Sequence, residues 1–470
     1  MMRRIFLAGV GALALSGCVV GPNYESPAPR APAQTPFAGA TSPAFTGDEP
    51  QGQWWQLFRD PTLDALIREA LTANTDLRVA EANLRRARAV LSESRAGRLP
   101  STTVSGSATY ARQSGEALGL PGTSPTGDAY DVGLDVSYQL DLFGRIHRTI
   151  EASRADAEAV QAAFDLTRIT VAAETTRAYA DACSAGRQLA VAQESVRVQQ
   201  ETYDLTRRLL QGGRATMLES SQAGAQLDQT RATIPTLEAQ RQTALYRLAV
   251  LTGRPPTEFP PAAAACATPP ALAQAIPVGD GASLLARRPD IRQADRQLHA
   301  ATARIGVATA DLYPSISLGG SIGSSATSPG NLGHSDAFRF SVGPLISWSF
   351  PNIAVARARI REARADADAA LASYDGTWLN ALQETESALT RYARELDRLN
   401  TLRRAHGQAA EALRIARLRY QAGRENFQVV LDAQGALAAV DSQVAQSEAA
   451  LSDNLVTLFL ALGGGWQDAS

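Results

Sequence analysis

The sequence predicts a mainly helical protein that also contributes strands to a membrane β-barrel. Three observations predict this fold class. The chain consists of two similar halves, and each half contains two short stretches in which apolar and polar residues alternate. Long helical patterns without proline follow those stretches, and a leader with two arginines and a short apolar run precedes both halves.

The composition excludes several classes of function. The net charge is -2, from 45 basic and 47 acidic residues, so there is no basic surplus to bind nucleic acid. All of the basic residues are arginines, which removes P-loop and Schiff-base lysines. The four histidines lie far apart and there are three cysteines, which disfavours a zinc site. We therefore expect no enzyme activity, no metal site and no cofactor beyond a covalent lipid.

Residues 1–17 have the plan of a signal peptide, with two arginines before a short apolar run. That run is too short to span a bilayer, which needs about 20 residues. The sequence Leu15-Ser16-Gly17-Cys18 resembles the lipobox of bacterial lipoproteins. We expect Cys18 to become the N-terminus and to carry S-diacylglycerol and N-palmitoyl groups. Val19 follows in place of aspartate, which resembles lipoproteins sent to the outer membrane of the bacterial cell.

Two Pro-rich stretches divide the rest of the chain into similar blocks. The predicted parts are a lipid-anchored segment (18–60), repeat 1 (61–253), a linker (254–280), repeat 2 (281–466) and a tail (467–470). The repeats align with a shift of 214 residues at first and of 210 residues further on, which indicates duplication of a whole half. Matched positions include Asp76/Asp290, Pro100/Pro314, Arg154/Arg364, Gly213/Gly423 and Leu248/Leu458.

Each half repeats one order of helices. Repeat 1 predicts helices over about 76–97, 145–211 and 216–252, the last of them in spite of Pro235. Repeat 2 predicts the equivalents over about 290–311, 353–421 and 426–462. The longest helix of each half corresponds to roughly 100 Å, and glycines mark its end.

Two strands lie between the first and second helix of each half, over about 101–111 and 130–142 in repeat 1 and about 315–324 and 338–350 in repeat 2. In the last strand Phe338, Phe340, Val342, Ile346, Trp348 and Phe350 alternate with Arg339, Ser341, Ser347 and Ser349. About ten residues with period two match a transmembrane strand that has lipid on one face and water on the other. A half-buried soluble sheet is the alternative for each strand alone. Pro344 is expected where the strand ladder is irregular.

Four strands cannot close a barrel, and open strand edges are not tolerated in hydrocarbon, so the chain must oligomerise. Two copies give eight strands with a filled interior, whereas three copies give twelve strands with an open lumen. For three copies the same counting gives twelve long helical stacks, and their mixed small and polar residues suit a barrel of packed helices around a wet channel. An ordinary coiled coil is the alternative for the helices, but it would not need the strands.

This order of elements resembles the TolC-like outer-membrane factors, specifically the NodT-type lipoproteins of resistance-nodulation-division efflux pumps. The resemblance covers about residues 54–466. It is carried by the lipobox, by Trp54-Trp55 with Phe58, Asp60 and Pro61, by Leu140-Asp141-Leu142-Phe143-Gly144, by Arg287-Arg288-Pro289-Asp290-Ile291 and by Ala461-Leu462-Gly463-Gly464-Gly465-Trp466. It implies a homotrimer in outer-membrane lipid, with a 12-stranded outer-membrane β-barrel continuous with a 12-helix periplasmic α-barrel. The homotrimer is expected to dock with a periplasmic adaptor (membrane-fusion) protein and an inner-membrane pump.

The family performs no chemistry, so the resemblance implies a passive, gated exit duct for drugs or other small toxic compounds. One alternative is the outer-membrane duct of a type I protein-secretion or metal-efflux system. The three methionines disfavour copper or silver as cargo. Another alternative, from a different class, is a poreless structural lipoprotein that spans the periplasm.

The resemblance also implies a periplasmic gate where each long helix turns into the next. Asp432 matches the aspartate of the family's Val-Leu-Asp-Ala segment, which narrows the pore, and Tyr420 matches a tyrosine that holds the closed state. Glu219 falls where an acidic partner of that network sits. Val429 stands where some members have a second aspartate, so one aspartate ring is expected. An ordinary surface residue is the alternative for Asp432.

Cys183 and Cys266 have no role that the sequence assigns. The periplasm is oxidising and would permit a disulfide, but the sequence does not fix the distance between them.

Overall fold

The structure is a computed structural model of the 470-residue chain. It describes residues 19–28, 36–49, 52–112, 126–272, 274–281, 284, 287–348, 350 and 353–463. The predicted signal peptide, Cys18 and Ser349 therefore lie outside the described residues. The chain divides into two compact units. One holds Leu84–Val160 and Ala294–Tyr374 with the N-terminal residues up to Pro27, and the other holds Ala28–Asn83, Gln161–Gln293 and the residues from Asp375 onward.

The described part of the chain is mostly helical. The main helices are α1 (Pro61–Ala73), α2 (Thr75–Ala96), α3 (Arg145–Gln211), α4 (Met217–Arg231), α5 (Ile234–Leu251), α6 (Pro289–Ala310), α7 (Ile353–Gln421) and α8 (Phe427–Ala461). Helix α1 was not separately predicted, although Asp60 caps it and Pro61 begins it in the usual way. Within the described ranges, no helix has the length and apolarity needed to cross a membrane.

The predicted single helix over 216–252 is wrong, because the chain breaks between α4 and α5 at Ala232 and Thr233. Pro235 explains the break: its nitrogen has no hydrogen to donate, and its ring would clash with the carbonyl of Arg231 in a continuous helix. It is instead accepted as the second residue of α5. The matched residue of repeat 2 is Ala445, and α8 runs through it without a break.

Four strands form one antiparallel sheet in the first unit: β2 (Ser101–Arg112), β3 (Thr126–Leu140), β5 (Ser315–Ala326) and β6 (Phe338–Ser347). Their order is β2-β3-β5-β6, so the hairpin of each repeat is intact and β3 joins the hairpins by pairing with β5. Strand β6 ends at Ser347, and Trp348 and Phe350 follow it instead of lying within it. The expected irregularity at Pro344 is also wrong. Within one protomer, Pro344 pairs with Leu318 in unbroken register, and β6 is there an edge strand, where a proline is tolerated.

The second unit contains a large apolar core and a small parallel sheet. Trp54 is fully buried and stacks on Phe459 of α8 with ring centroids 4.7 Å apart. Strand β1 (Phe45–Thr46) pairs with β4 (Ile276–Pro277), which links the segment before α1 to the linker between the repeats. A disulfide joins Cys183 of α3 to Cys266 of the same linker, with their Cα atoms 4.8 Å apart.

Candidate functional site

The two faces of the four-stranded sheet differ in polarity, as the alternation predicts. Val342 pairs with Gly320, and Phe340 pairs with Ile322, so the apolar residues of neighbouring strands share one face. These apolar side chains are largely exposed, and Val342 is 77% exposed. An exposed apolar face of this extent marks contact with a membrane or with another protein.

The opposite face of the sheet is polar, with Leu345 as an exception. Its most extensive network joins three strands: the Arg339 guanidinium donates to both oxygens of Asp131, and Ser325 also donates to Asp131. Arg339 crosses β5 to reach β3, and glycines clear its path. A Cβ at Gly323 would lie 3.3 Å from the Arg339 guanidinium carbon and 2.6 Å from a backbone oxygen of β3. This network was not predicted, although Asp131, Gly323 and Arg339 fall at polar-face positions of the strands.

Aromatic and charged side chains surround a cavity of about 380 Å³ where the strands meet the helices of the first unit. Phe143 stacks on Tyr313 with centroids 4.5 Å apart, and the Trp348 indole N–H donates to a backbone carbonyl. Asp311 lies 3.3 Å from both Arg145 and Arg359. Aromatic side chains at this end of the sheet are typical of the girdles at the ends of transmembrane strands.

The segment just after Cys18 is fixed to the first unit. Arg148 of α3 is almost fully buried and donates to the carbonyls of Val20 and Gly21 and to the Asn23 side chain. Gly21 has φ +92°, and a Cβ there would lie 2.5 Å from the Cα of Gly306 in α6. Only glycine therefore permits this approach of the two backbones.

Tyr24 adds a second attachment of the same segment. Its hydroxyl donates to Asp295 and its ring stacks on His299, with centroids 4.3 Å apart. Burial, together with the bond to Asp295, raises the pKa of Tyr24, so the hydroxyl remains a donor at physiological pH. No local pattern in the sequence predicts these long-range contacts.

The helix turn between α7 and α8 carries two of the predicted gate residues. Gly423 has φ +66°, and hydrogen bonds from Gly423 and Arg424 to the last turn of α7 form a Schellman motif. The Tyr420 ring packs on Phe427 with centroids 5.3 Å apart, in an apolar cluster that joins α3, α4, α7 and α8. Asp432 is exposed and accepts a hydrogen bond of 2.7 Å from Gln428.

The turn between α3 and α4 has the same geometry, with Gly213 at φ +68°. Glu219 forms a capping box there: its carboxylate accepts from the Thr216 N–H at 2.7 Å, and the Thr216 hydroxyl accepts from the Glu219 N–H. Within one described protomer, Glu219 thus bonds to its own helix, and no hydrogen bond joins it to Tyr420 or Asp432. The Thr216-x-x-Glu219 spacing is typical of a capping box, so this helix cap could have been predicted from the sequence.

Three comparisons with known proteins agree with this arrangement. The profile of a family described as "Outer membrane efflux protein" matches residues 66–254 and 282–464. Nodulation protein T of Rhizobium leguminosarum bv. trifolii is 31% identical over 455 residues, which cover 97% of this chain and 96% of that protein. The cation efflux system protein CusC of Escherichia coli O157:H7 is 30% identical and covers 97% of both. The solved structure of the outer-membrane channel OprN has a TM-score of 0.88 and 38% identity, over 96% of this chain and 100% of that one.

Proposed function

The chain belongs to the outer membrane efflux protein family, and we propose that it is the outer-membrane channel lipoprotein of a tripartite efflux system. The family consists of outer-membrane efflux channels and not of enzymes. The observation that supports the proposal most is the four-stranded sheet, with one exposed apolar face, one polar face and two edge strands, β2 and β6. Such a sheet is suited to lipid on one side and water on the other once its edges are paired.

Three copies pair these edges with one another. Each copy contributes four strands, so three copies form a closed barrel of twelve strands with an open lumen. The long helices α3 and α7 supply two helical stacks per copy. The shorter helices of each repeat, α2 with α4 and α5 and likewise α6 with α8, are stacked end to end and supply two more, which gives a periplasmic barrel of twelve stacks. Cyclic symmetry then makes every β6 meet a β2 of the next copy.

The pore is tested by inserting the purified full chain into a planar bilayer. A water-filled barrel gives stepwise single-channel currents, whereas a poreless structural lipoprotein gives none. Chemical crosslinking of the same preparation must stop at trimers. Absence of current overturns the channel, and crosslinking that yields only dimers overturns the trimer.

We propose drugs or other small toxic compounds as the cargo. The composition supports this choice over copper or silver, because three methionines provide few soft ligands. Among the described residues, no group of three or more histidine, cysteine, aspartate or glutamate side chains could hold a metal ion. Deleting the gene should lower the inhibitory concentrations of several antibiotics and leave that of Ag⁺ unchanged. The reverse pattern supports the metal-efflux alternative, which the similarity to CusC keeps relevant.

The partners of this proposal are a periplasmic adaptor and an inner-membrane pump, since a passive duct supplies no energy. Apolar side chains near the two helix turns support contact with an adaptor: Met217 and Leu218 are 68% and 66% exposed, and Leu418 is 52% exposed. Site-specific photocrosslinking from Met217 in intact cells tests this contact. Crosslinks to the inner-membrane pump alone, without an adaptor, contradict it.

The lipid anchor at Cys18 is also a proposal, and the contacts of Val20, Gly21 and Asn23 with Arg148 support it. They hold the chain immediately after Cys18 against the first unit, which also contains the membrane sheet. An acyl chain on Cys18 would therefore begin two residues before Val20, which is hydrogen-bonded to Arg148.

The gate proposal assigns Asp432 to a ring of three carboxylates around the trimer axis, with Tyr420 and Glu219 stabilising the closed tip. Like charges around an axis repel one another and attract cations. Asp432→Ala should therefore increase single-channel conductance and weaken block by divalent cations. Asp228→Ala is the matched control, because Asp228 is an exposed aspartate of α4. Equal conductance and block in both variants would make Asp432 an ordinary surface residue.

Glu219 needs a variant that separates its charge from its helix cap. Glu219→Gln retains the capping box, because glutamine also serves at this position, but it removes the charge. A gating role through charge predicts that Glu219→Gln raises conductance, though less than Asp432→Ala. An effect of Glu219→Ala without any effect of Glu219→Gln would assign the residue to the cap alone.

A further inference from the structure

A cavity of about 330 Å³ lies within the second unit, between α3, α7 and α8. Its apolar wall includes Val198 of α3, Leu413 of α7 and Leu437 of α8. The amide side chains of Gln199 and Gln434 also line it. The cavity is therefore built by both halves of the chain, and it has a polar end and an apolar body.

Three of the four polar atoms of these two buried amides have no hydrogen-bond partner among the described residues. Gln199 is 3% exposed, and neither its Oε1 nor its Nε2 has a partner in the part of the chain that the structure describes. Gln434 is 5% exposed; its Oε1 accepts from the Thr202 hydroxyl at 3.2 Å, and its Nε2 has no partner there. Buried polar groups are nearly always satisfied, because an unsatisfied group keeps the full penalty of leaving water. Three unsatisfied atoms on two side chains that line one cavity indicate that it receives something able to both donate and accept.

The charged residues that line the cavity already have partners. Asp441 lies 2.9 Å from His406, and Glu194 lies 2.5 Å from Arg197. Arg187 is 3.7 Å from Glu448. Since these charged groups are engaged by neighbouring side chains, the groups of the cavity that remain for recognition are the neutral amides.

We propose that this cavity binds a small neutral ligand that carries a carboxamide or lactam on an apolar body. The ligand N–H donates to Gln199 Oε1, and its carbonyl accepts from Gln199 Nε2 or Gln434 Nε2. The apolar body packs on Val198, Leu413 and Leu437. The volume lies within the range of small-molecule sites, which usually combine an apolar lining with a few polar groups. An occupant would bridge α3 of the first repeat to α7 and α8 of the second.

Binding is tested with benzamide as the probe, on the full chain in detergent, by ligand-observed saturation-transfer NMR. Toluene has the same ring without the amide, and we expect it to bind at least about tenfold more weakly than benzamide. Gln199→Leu keeps most of the volume and removes the amide, so it should weaken benzamide binding about tenfold or more. Gln193→Leu is the matched control, because Gln193 is exposed on the same helix and does not line the cavity.

Gln434→Met provides a second variant if Gln199→Leu folds poorly, and it should also weaken benzamide binding. Without ligand, Gln199→Leu should melt no lower than Gln193→Leu, since it removes an unsatisfied buried amide. The proposal is overturned if benzamide does not bind, if toluene binds equally well, or if Gln193→Leu loses as much affinity as Gln199→Leu. None of these results depends on the pore, so this experiment tests the binding site independently of the proposed channel function.

Discussion

Val342→Arg should block insertion of the sheet into a membrane far more strongly than Ser341→Arg. The two residues are neighbours in β6, but they lie on opposite faces. Val342 is 77% exposed on the apolar face, whereas the Ser341 hydroxyl lies 2.8 Å from the Ser321 hydroxyl on the polar face. Val342 is central in β6, and its partner Gly320 has no side chain that could cover a charge.

The expected difference follows from these environments. An arginine at the bilayer midplane costs about 2–4 kcal/mol. Ser341→Arg loses one hydrogen bond, which is worth about 1 kcal/mol, and its charge faces water. The difference is about 1–3 kcal/mol for each protomer and about 3–9 kcal/mol for the proposed trimer. Even the lower bound corresponds to roughly a hundredfold change in the insertion equilibrium.

The measurement starts from the urea-unfolded full chain, which is diluted into phospholipid vesicles and assayed for the fraction protected from protease. Val342→Ser controls for the loss of the apolar side chain without a charge. We expect Val342→Arg to insert least, and Ser341→Arg to insert nearly as well as the original chain but with altered conductance. Equal insertion of the two arginine variants would refute the assignment of the faces.

Three further predictions concern the lipid anchor, the disulfide and the carboxylate of Asp181. Cys18→Ser should abolish incorporation of radioactive palmitate, since acylation needs the thiol; equal labelling contradicts the anchor. Cys183→Ser should lower the free energy of unfolding by about 2–4 kcal/mol, and dithiothreitol should reproduce that loss in the original chain while leaving the variant unchanged. Burial, followed by the nearby charge of Asp453, raises the pKa of Asp181 to about 6. The usual value is about 3.9, so ionised Asp181 destabilises the fold increasingly as pH rises from about 4 to about 6. Asp181→Asn should therefore raise the denaturation midpoint slightly at about pH 7.5 and hardly at about pH 4, the effect being small because the side chain is 48% exposed; a shift independent of pH would contradict it.

Local patterns sufficed for much of the fold. A period of two assigns each strand residue to a face without any knowledge of pairing, so Phe340 and Ser341 were placed correctly before the register was known. The helices that follow the strands were equally readable from long stretches without proline. The break before Pro235, which was not predicted, also has a local cause. A proline in a helix interior removes a backbone hydrogen bond, and it interrupts the helix here even though the apolar periodicity continues through it.

The features of the fold and of the candidate site that were not predicted depend on contacts between residues that are far apart in the sequence. Arg148 is an unremarkable arginine in the sequence, and only the folded chain brings the carbonyls of Val20 and Gly21 to its guanidinium. The disulfide between Cys183 and Cys266 required the linker to lie against α3. Asp432 differs from both cases, because its predicted role needs two further copies of the chain, and neither sequence periodicity nor one protomer supplies them.

The pairing of β1 with β4 has a consequence for how the two halves became one protein. Strand β1 precedes repeat 1, and β4 belongs to the linker, so neither strand is part of the duplicated sequence. A simple head-to-tail fusion of two identical ancestors would not contain this closure. If the chain is cut after residue 253, the fragment that keeps Phe45 and Thr46 loses its partner strand, and the other fragment retains it. Co-expressed fragments should therefore complement each other best when the linker stays with the second half, because the pairing of β1 with β4 then joins the two fragments.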